Sequence, residues 1–258
     1  MDLIDKKIIF SLLRDGRSTQ RQIASDIGIS AQTLNYRLGK LMEDGTIRGF
    51  TLHVNPLLYN RIQGFAAFKS EKDYDGNLVM KIRCLEETTL YGFQAETLDG
   101  LLRKIEEAGR ELGDPVMKYI PLQGTISMNV GKLDYQIIEA LKHDPRASAS
   151  DLASQFDVPY LTVKRRLNLL IRNHLIGVIT RVDLTSGDIV LFSIFTDKVD
   201  RISPLLGQRL VFAIADERSG VYICFSENLR YAKETIRNVR AVDPEAEVMV
   251  LYEYEVFA

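Results

Sequence analysis

The chain has 258 residues, of which 46% are hydrophobic and 26% charged, with a formal net charge of −2; this excludes a disordered chain and allows several domains. The only two cysteines, Cys84 and Cys224, exclude a four-cysteine zinc site and a disulfide framework. No apolar run reaches the roughly 18 residues of a membrane span and the first residues lack a basic leader, so we expect a cytoplasmic protein without a membrane, metal or cofactor partner.

The first region, residues 1–61, predicts a winged helix-turn-helix domain. Apolar side chains between Ile4 and Leu13 recur at helical spacing and predict a first helix over about residues 3–14. Thr19, followed by a glutamine three positions later, matches a capping box that begins a short second helix.

A turn and a third helix follow in the same region. Gly28 suits the left-handed backbone of the turn, and Ser30 suits the N-cap of a helix over about residues 31–44. Gly45 ends this helix. Residues 46–54 are apolar, and we expect them to form the short hairpin that is the wing.

The second region, residues 62–130, mixes strand and helix patterns. It predicts an α+β domain of ferredoxin-like βαββαβ order with a degraded central hairpin. Its predicted elements are strands at residues 64–68 and 116–121, helices at about 76–86 and 98–112, and a short hairpin over 88–97.

The third region, residues 131–183, repeats the plan of the first. Ser148 opens a capping box, Asp157 takes the left-handed position of the turn, and Pro159 suits a first helical position. The remaining signals are Asn173, which can end the third helix, and a predicted wing over residues 175–182.

The fourth region, residues 184–258, predicts a complete ferredoxin-like domain. One four-stranded sheet of this kind has a bare face, so we expect the two sheets of the chain to bury those faces against each other. The predicted elements are strands at residues 189–195, 210–214, 221–225 and 248–252 and helices at 197–206 and 228–241.

An internal repeat relates the two halves. Shifting the sequence by 129 positions aligns 13 identical residues over 43 positions without a gap, where chance gives roughly two or three, so the chain is a tandem duplication. The two helix-turn-helix regions carry net charges of +3 and +2, and the two ferredoxin-like regions carry −3 and −4. This alternation indicates that the helix-turn-helix regions meet a polyanion.

The third helix of a helix-turn-helix domain enters the major groove of DNA, so its outer face carries the candidate site. Asn and Gln pair bidentately with adenine edges, whereas Lys and Arg suit guanine or phosphate. The predicted DNA-binding residues are Gln32, Asn35, Tyr36, Arg37, Lys40 and Arg48 in the first copy and Tyr160, Lys164, Arg165, Arg166 and Asn168 in the second.

Some of these side chains have a second interpretation. Arg37 and Arg166 lie close to the apolar stripe, which favours a structural pairing with an acidic neighbour. Leu161 and Leu169 on the outer face of the second copy leave a protein-binding surface open as an alternative to DNA. Asp5 and Asp134 are expected to cap the first helices, and further phosphate contacts are expected from Arg17, Arg21, Arg146 and Arg181.

The order of domains resembles the Lrp/AsnC family of feast/famine transcription regulators. The motif that carries the resemblance runs from Asp5, Ile8 and Ile9 through Thr33, Leu34, Arg37 and Leu38 to the segment 45–49, and the second copy repeats it at Asp134, Ile137, Ile138, Arg166 and Leu167. The resemblance implies DNA binding, dimerisation through the ferredoxin-like domains and control by an amino acid bound between them.

The chain departs from that family in two respects. The family builds a dimer from two chains, whereas here the two-fold relationship is internal. The family turn that leads to the effector carries an aspartate, and neither Gly220-Val221-Tyr222 nor Tyr91-Gly92-Phe93 has one.

We therefore predict a DNA-binding transcription regulator and not an enzyme. As an intramolecular pseudo-dimer it would read two unlike half-sites about one helical turn apart, and whole chains could dimerise further through the sheets. Two alternatives remain open. One is an enzyme similar to the siroheme decarboxylases, although all three histidines lie in the helix-turn-helix regions. The other is a scaffold that binds related regulators and no longer reads DNA.

Overall fold

A computed structural model describes residues 1–122, 124–186 and 189–257. The helices in this part of the chain are α1 (Leu3–Arg14), α2 (Gln20–Ile27), α3 (Ala31–Glu43), α4 (Leu98–Leu112), α5 (Lys132–His143), α6 (Ala149–Phe156), α7 (Tyr160–Arg172), α8 (Val199–Leu206) and α9 (Leu229–Val242). The strands are β1 (Ile47–Val54), β2 (Ile62–Lys69), β3 (Met80–Cys84), β4 (Thr88–Ala95), β5 (Met117–Tyr119), β6 (Ile176–Val182), β7 (Val190–Thr196), β8 (Leu210–Ala215), β9 (Gly220–Ser226) and β10 (Glu247–Val256).

Local capping fixes the three helices of the first helix-turn-helix unit. Asp2 caps α1 with its carboxylate, and Thr19 and Ser30 cap α2 and α3 by accepting hydrogen bonds from backbone N–H groups one turn ahead. Gly28 takes the left-handed conformation at the turn, with φ 79°. Asp5 completes the capping box of α1, as the sequence predicted.

The second unit keeps the same plan with different cap chemistry. Ser148 and Asp151 form the capping box of α6, and Asp157 adopts the left-handed conformation that Gly28 has in the first copy. Pro159 is the N-cap of α7 and not its first helical residue, so that prediction was displaced by one position. Asp134 receives the backbone N–H of Gly131 and so supports the start of α5.

The predicted wing hairpin at residues 46–54 is wrong. These residues form one continuous strand, β1, and β1 pairs antiparallel with β6 of the second copy. The reason is geometric, because a tight hairpin needs about two loop residues and only Thr51 separates the two apolar runs of the prediction. We call the two-stranded sheet of β1 and β6 the inter-copy ribbon.

The register of the inter-copy ribbon agrees with the sequence repeat. Phe50 is paired with Thr180, and Thr51 is paired with Ile179. The offset of 129 residues converts the first of these pairs into the second, so a pseudo-two-fold axis passes through the centre of the ribbon. The two helix-turn-helix units are therefore arranged as in a symmetric dimer, although they belong to one chain.

The two ferredoxin-like domains have equivalent sheets. The strand order is β5-β2-β4-β3 in the first and β10-β7-β9-β8 in the second, and antiparallel pairing of β3 with β10 joins them into one eight-stranded sheet. The helix predicted over residues 76–86 is wrong, because β3 occupies the end of that segment. As a strand it has partners on both sides, β4 and β10, and these long-range hydrogen bonds override local helical spacing.

The inner faces of the two sheets bury each other, as the sequence predicted. A shared core contains Phe65, Leu90 and Tyr119 from the first domain together with Leu191 and Phe225 from the second. On the outer faces, α4 covers the first sheet and α8 and α9 cover the second. No helix in the described part of the chain combines the length and apolar character needed to cross a lipid bilayer.

Candidate nucleic-acid interface

The recognition helix of the first copy, α3, presents a polar face to solvent. Leu34, Leu38 and Leu41 are buried and hold the helix against α1 and α2. The opposite face exposes Gln32, Asn35, Tyr36, Gly39 and Lys40. Tyr36 is 72% exposed, an unusual position for an aromatic side chain unless a partner covers it.

Two hydrogen bonds at the start of the helix-turn-helix fix side chains next to this face. The Gln20 amide of α2 donates to Oδ1 of Asn35 at 3.4 Å, which ties the two helices together and orients the Asn35 amide. At the N-terminus of α3, the Ser30 hydroxyl lies 2.8 Å from the Thr33 hydroxyl. The sequence did not predict a role for Gln20, because its contact with Asn35 joins two different helices across the turn.

Arg37 and Arg166, the equivalent arginines of the two copies, are held by carboxylates. Arg37 donates to Asp2 at 2.7 Å and to Asp5 at 2.8 Å, and these bonds raise the pKa of its guanidinium. Arg166 makes a bidentate pair with Asp134, which is 1% exposed, and also donates to the Asn129 carbonyl. Each arginine therefore connects the recognition helix to the first helix, which is the structural interpretation of the sequence.

The recognition helix of the second copy, α7, presents different chemistry. Tyr160, Leu161, Lys164, Arg165 and Asn168 are exposed, and Leu161 is 74% exposed. The Lys164 ammonium lies 5.5 Å from the centre of the Tyr160 ring in a cation–π contact. The sequence placed Leu169 on this face too, but the side chain is half-buried, so only Leu161 forms an apolar outer position.

The expected phosphate contacts from Arg17 and Arg146 are wrong. These two residues are equivalent in the repeat, and each reaches across the pseudo-two-fold axis: Arg17 donates to the Pro145 and Ala147 carbonyls, and Arg146 donates to the Ser18 carbonyl. Burial lowers the pKa of both guanidinium groups. Their role is to join the two helix-turn-helix units. The sequence of either copy alone does not reveal this role, because the bonding partners lie in the other copy.

The remaining predicted phosphate contacts lie at the surface. Arg48, at the start of the inter-copy ribbon, forms an ion pair with Asp183 at 2.5 Å and is still more than half exposed. Arg181 donates to the Arg48 carbonyl at 3.1 Å, and Arg21 on α2 is exposed. Exposed cationic side chains from both copies are therefore present on α2 and on the inter-copy ribbon.

Known proteins with similar sequences also contain helix-turn-helix domains. The family described as winged helix-turn-helix DNA-binding matches residues 1–48 and 132–176, once in each copy. An uncharacterized HTH-type transcriptional regulator of Pyrococcus abyssi is 44% identical over 55 residues, 21% of this chain and 37% of the relative. The leucine-responsive regulatory protein of Rhizobium meliloti is 44% identical over 55 residues, 21% of this chain and 35% of the relative.

The chain spans little more than a third of the length of these two relatives. Over the whole chain, the crystal structure of the siroheme decarboxylase NirDL superposes with a TM-score of 0.47 and 10% sequence identity, covering 97% of this chain and 91% of that one. The fold and the paired exposed helices define a class, the tandem helix-turn-helix proteins with ferredoxin-like domains. The helix-turn-helix sequence of the chain is similar to that of HTH-type transcriptional regulators, among them the leucine-responsive regulatory protein.

Proposed function

We propose that the chain is a sequence-specific DNA-binding transcription regulator and not an enzyme. Its two helix-turn-helix units act as an intramolecular pseudo-dimer that reads two unlike half-sites on one duplex. The observation that carries this proposal is the pair of exposed recognition helices, α3 and α7, related by the pseudo-two-fold axis of the inter-copy ribbon. A two-fold reader of this kind contacts half-sites about one helical turn, or ~34–36 Å, apart.

The domain limits that we propose follow the sequence regions 1–61, 62–130, 131–183 and 184–258. The predicted contacts are divided by chemistry. The helix faces described above supply base contacts, while Arg21, Arg48 and Arg181 supply phosphate contacts. Arg37 and Arg166 act by positioning α3 and α7.

The test is selection of bound fragments from a random duplex pool by the purified full chain at low ionic strength. We expect an asymmetric site with two half-sites. Affinity should fall steeply between 50 and 200 mM salt, because Lys and Arg contacts release counterions from the duplex. Replacing Lys164 and Arg165 together by Ala should weaken binding, whereas Arg237→Ala, which removes an exposed charge from distant α9, should not. A chain that prefers no duplex over free solution contradicts the proposal.

The same purified chain can be used to test the two alternatives, an enzyme and a scaffold. An enzyme similar to the siroheme decarboxylases would bind an added tetrapyrrole and shift its Soret band. The space between the two sheets is filled by apolar side chains such as Phe65, Met117 and Phe225, which supports the regulator over this reading. A scaffold would capture related regulators without retaining DNA in a mobility-shift assay.

The proposal also includes a homodimer of whole chains and an amino-acid effector. Because the inner sheet faces are covered within the chain, a homodimer would use an outer edge. Strand β8 offers one: it pairs only with β9 among the described strands, and Phe212 is exposed on it. An amino-acid effector would be detected by a change in DNA affinity, and analytical ultracentrifugation would give the oligomeric state.

A further inference from the structure

Equivalent positions of the two recognition helices carry different side chains. The first exposed position of the face is Gln32 in α3 and Leu161 in α7, and one turn later Asn35 and Tyr36 correspond to Lys164 and Arg165. In the next turn Gly39 corresponds to Asn168, and in the last turn Glu43 corresponds to Arg172. The first helix is therefore nearly neutral with amide groups, and the second is cationic with longer side chains.

Gly39 is the least expected residue of this set. Glycine inside a helix is destabilising relative to alanine because it loses more backbone entropy on folding. Gly39 lies in the interior of α3 on the exposed face, its φ is not in the left-handed region, and a Cβ built there meets no atom of the chain within 4 Å. No described residue within 4 Å requires a glycine at this position, and its missing side chain leaves the exposed face of α3 open there.

We propose that α3 and α7 dock on the duplex at different depths, an inference that rests on the DNA-binding function proposed above. The gap at Gly39 lets the backbone of α3 approach the floor of the major groove. Asn35 then pairs with an adenine edge and Gln32 with the neighbouring base. Helix α7 stays further out, and Arg165 reaches a guanine while Leu161 contacts a thymine methyl group.

Side-chain length supports this division. An amide side chain is short, so it reaches a base edge only when its helix backbone is close, whereas an arginine spans a wider gap with its bidentate fork. Asn35 is also oriented by the Gln20 amide, which makes Gln20 a positioning residue for adenine readout. On α7 the equivalent residue, Lys164, lies over the Tyr160 ring.

The experiment measures duplex affinity and thermal unfolding of the full chain with Gly39→Ala, and with Asn238→Ala on α9, outside the proposed interface, as the matched control. Both changes place alanine at an exposed helix interior, so both should raise the melting temperature by about 2 °C. Gly39→Ala should weaken binding to the selected site about ten-fold or more, because the added methyl group holds Asn35 away from its base. Asn238→Ala should leave affinity unchanged, because α9 covers the outer face of a ferredoxin-like sheet.

The outcomes are distinguishable. If wild-type protein binds no duplex, the proposed function fails and the depth difference fails with it. If wild-type protein binds but Gly39→Ala binds equally well, the close approach of α3 is wrong while DNA binding stands. Binding-site selection with Arg165→Ala should lose the guanine preference in one half-site only, and Gln20→Ala should relax adenine preference in the other. Loss of preference in both half-sites with either variant would overturn the division.

Discussion

Tyr254 connects the second ferredoxin-like sheet to the inter-copy ribbon through one hydroxyl group. Its Oη accepts a hydrogen bond from the backbone N–H of Val182 at 2.9 Å and donates to the Thr180 carbonyl at 2.5 Å. Burial raises the pKa of Tyr254 to about 12, so the hydroxyl keeps its proton and its donor role at any physiological pH. This side chain thus links the ribbon to the sheets by two hydrogen bonds, in addition to their shared apolar core.

Replacing Tyr254 by Phe removes this connection. The Val182 N–H and the Thr180 carbonyl lose a partner, so the free energy of unfolding should fall by about 1–3 kcal/mol. Urea unfolding followed by circular dichroism gives the value. Tyr252→Phe is the control, because Tyr252 lies on the same strand and is exposed. Equal stability of the two variants would show that the hydroxyl contributes nothing.

His53 lies on the ribbon opposite Gly177, and burial lowers its pKa below the ordinary value of 6.5. The folded state therefore binds this proton less readily than the unfolded state does. The stability that His53 contributes is complete above about pH 6.5 and is lost as the pH falls below that value. Between pH 7.5 and 5, the wild type should lose stability relative to His53→Gln. Parallel stability curves for the two proteins would contradict this.

The inter-copy ribbon joins the two helix-turn-helix units, because its strands come one from each copy. Gly16 lies against it: its N–H donates to the Val178 carbonyl, and a Cβ at this position would come within 2.6 Å of that oxygen. Thr180 on the ribbon donates to the Leu12 carbonyl of α1, and the Arg17 and Arg146 side chains cross the axis nearby. The two helix-turn-helix units are therefore joined at the ribbon by one backbone hydrogen bond and by several side-chain bonds to backbone carbonyls.

Gly16→Ala should disrupt this packing. The added methyl group meets backbone atoms that cannot move without bending the ribbon, so we expect a loss of roughly 1–3 kcal/mol in unfolding free energy. Gly177→Ala is the matched control on the ribbon itself, since its Cβ would meet nothing within 4 Å. Thermal unfolding of both variants is the measurement, and a Gly16→Ala variant as stable as Gly177→Ala would refute the close contact.

At the scale of the whole molecule, the two copies are interlocked. Helix α1 of the first copy packs on the second ferredoxin-like domain: Phe10 stacks on Phe225 at 4.8 Å, and Lys6 donates to the Glu227 carbonyl at 2.6 Å. Strand β3 completes the sheet of the other copy by pairing with β10. Among the described strands, β5 and β8 are the two ends of the eight-stranded sheet and do not pair with each other.

This interlocking predicts one cooperative unfolding transition. Because the first copy shares its core with the second, neither can unfold while the other keeps its buried surface. Differential scanning calorimetry should give a calorimetric enthalpy equal to the van't Hoff enthalpy. Two separate transitions, one for each half of the chain, would show that the copies are independent.

The sequence alone determined the helices of the two helix-turn-helix units and the duplication. Caps such as Ser30 and Ser148, the left-handed turn at Gly28 and the apolar stripes act within a few residues, so the local pattern is sufficient to predict them. The 129-residue repeat also predicted that the sheets would face each other. The residues on the outer faces of α3 and α7 follow from helical spacing once the buried stripe is known.

Only the tertiary structure decided how the copies are joined. Residues 46–54 became a strand of the inter-copy ribbon, and residues 80–84 became β3, because their hydrogen-bond partners are far away in the sequence. For the same reason Arg17 and Arg146 are half-buried and bonded across the axis, although each looks like a surface phosphate contact within its own copy. Local propensity is weak compared with the backbone hydrogen bonds and buried surface that distant segments supply.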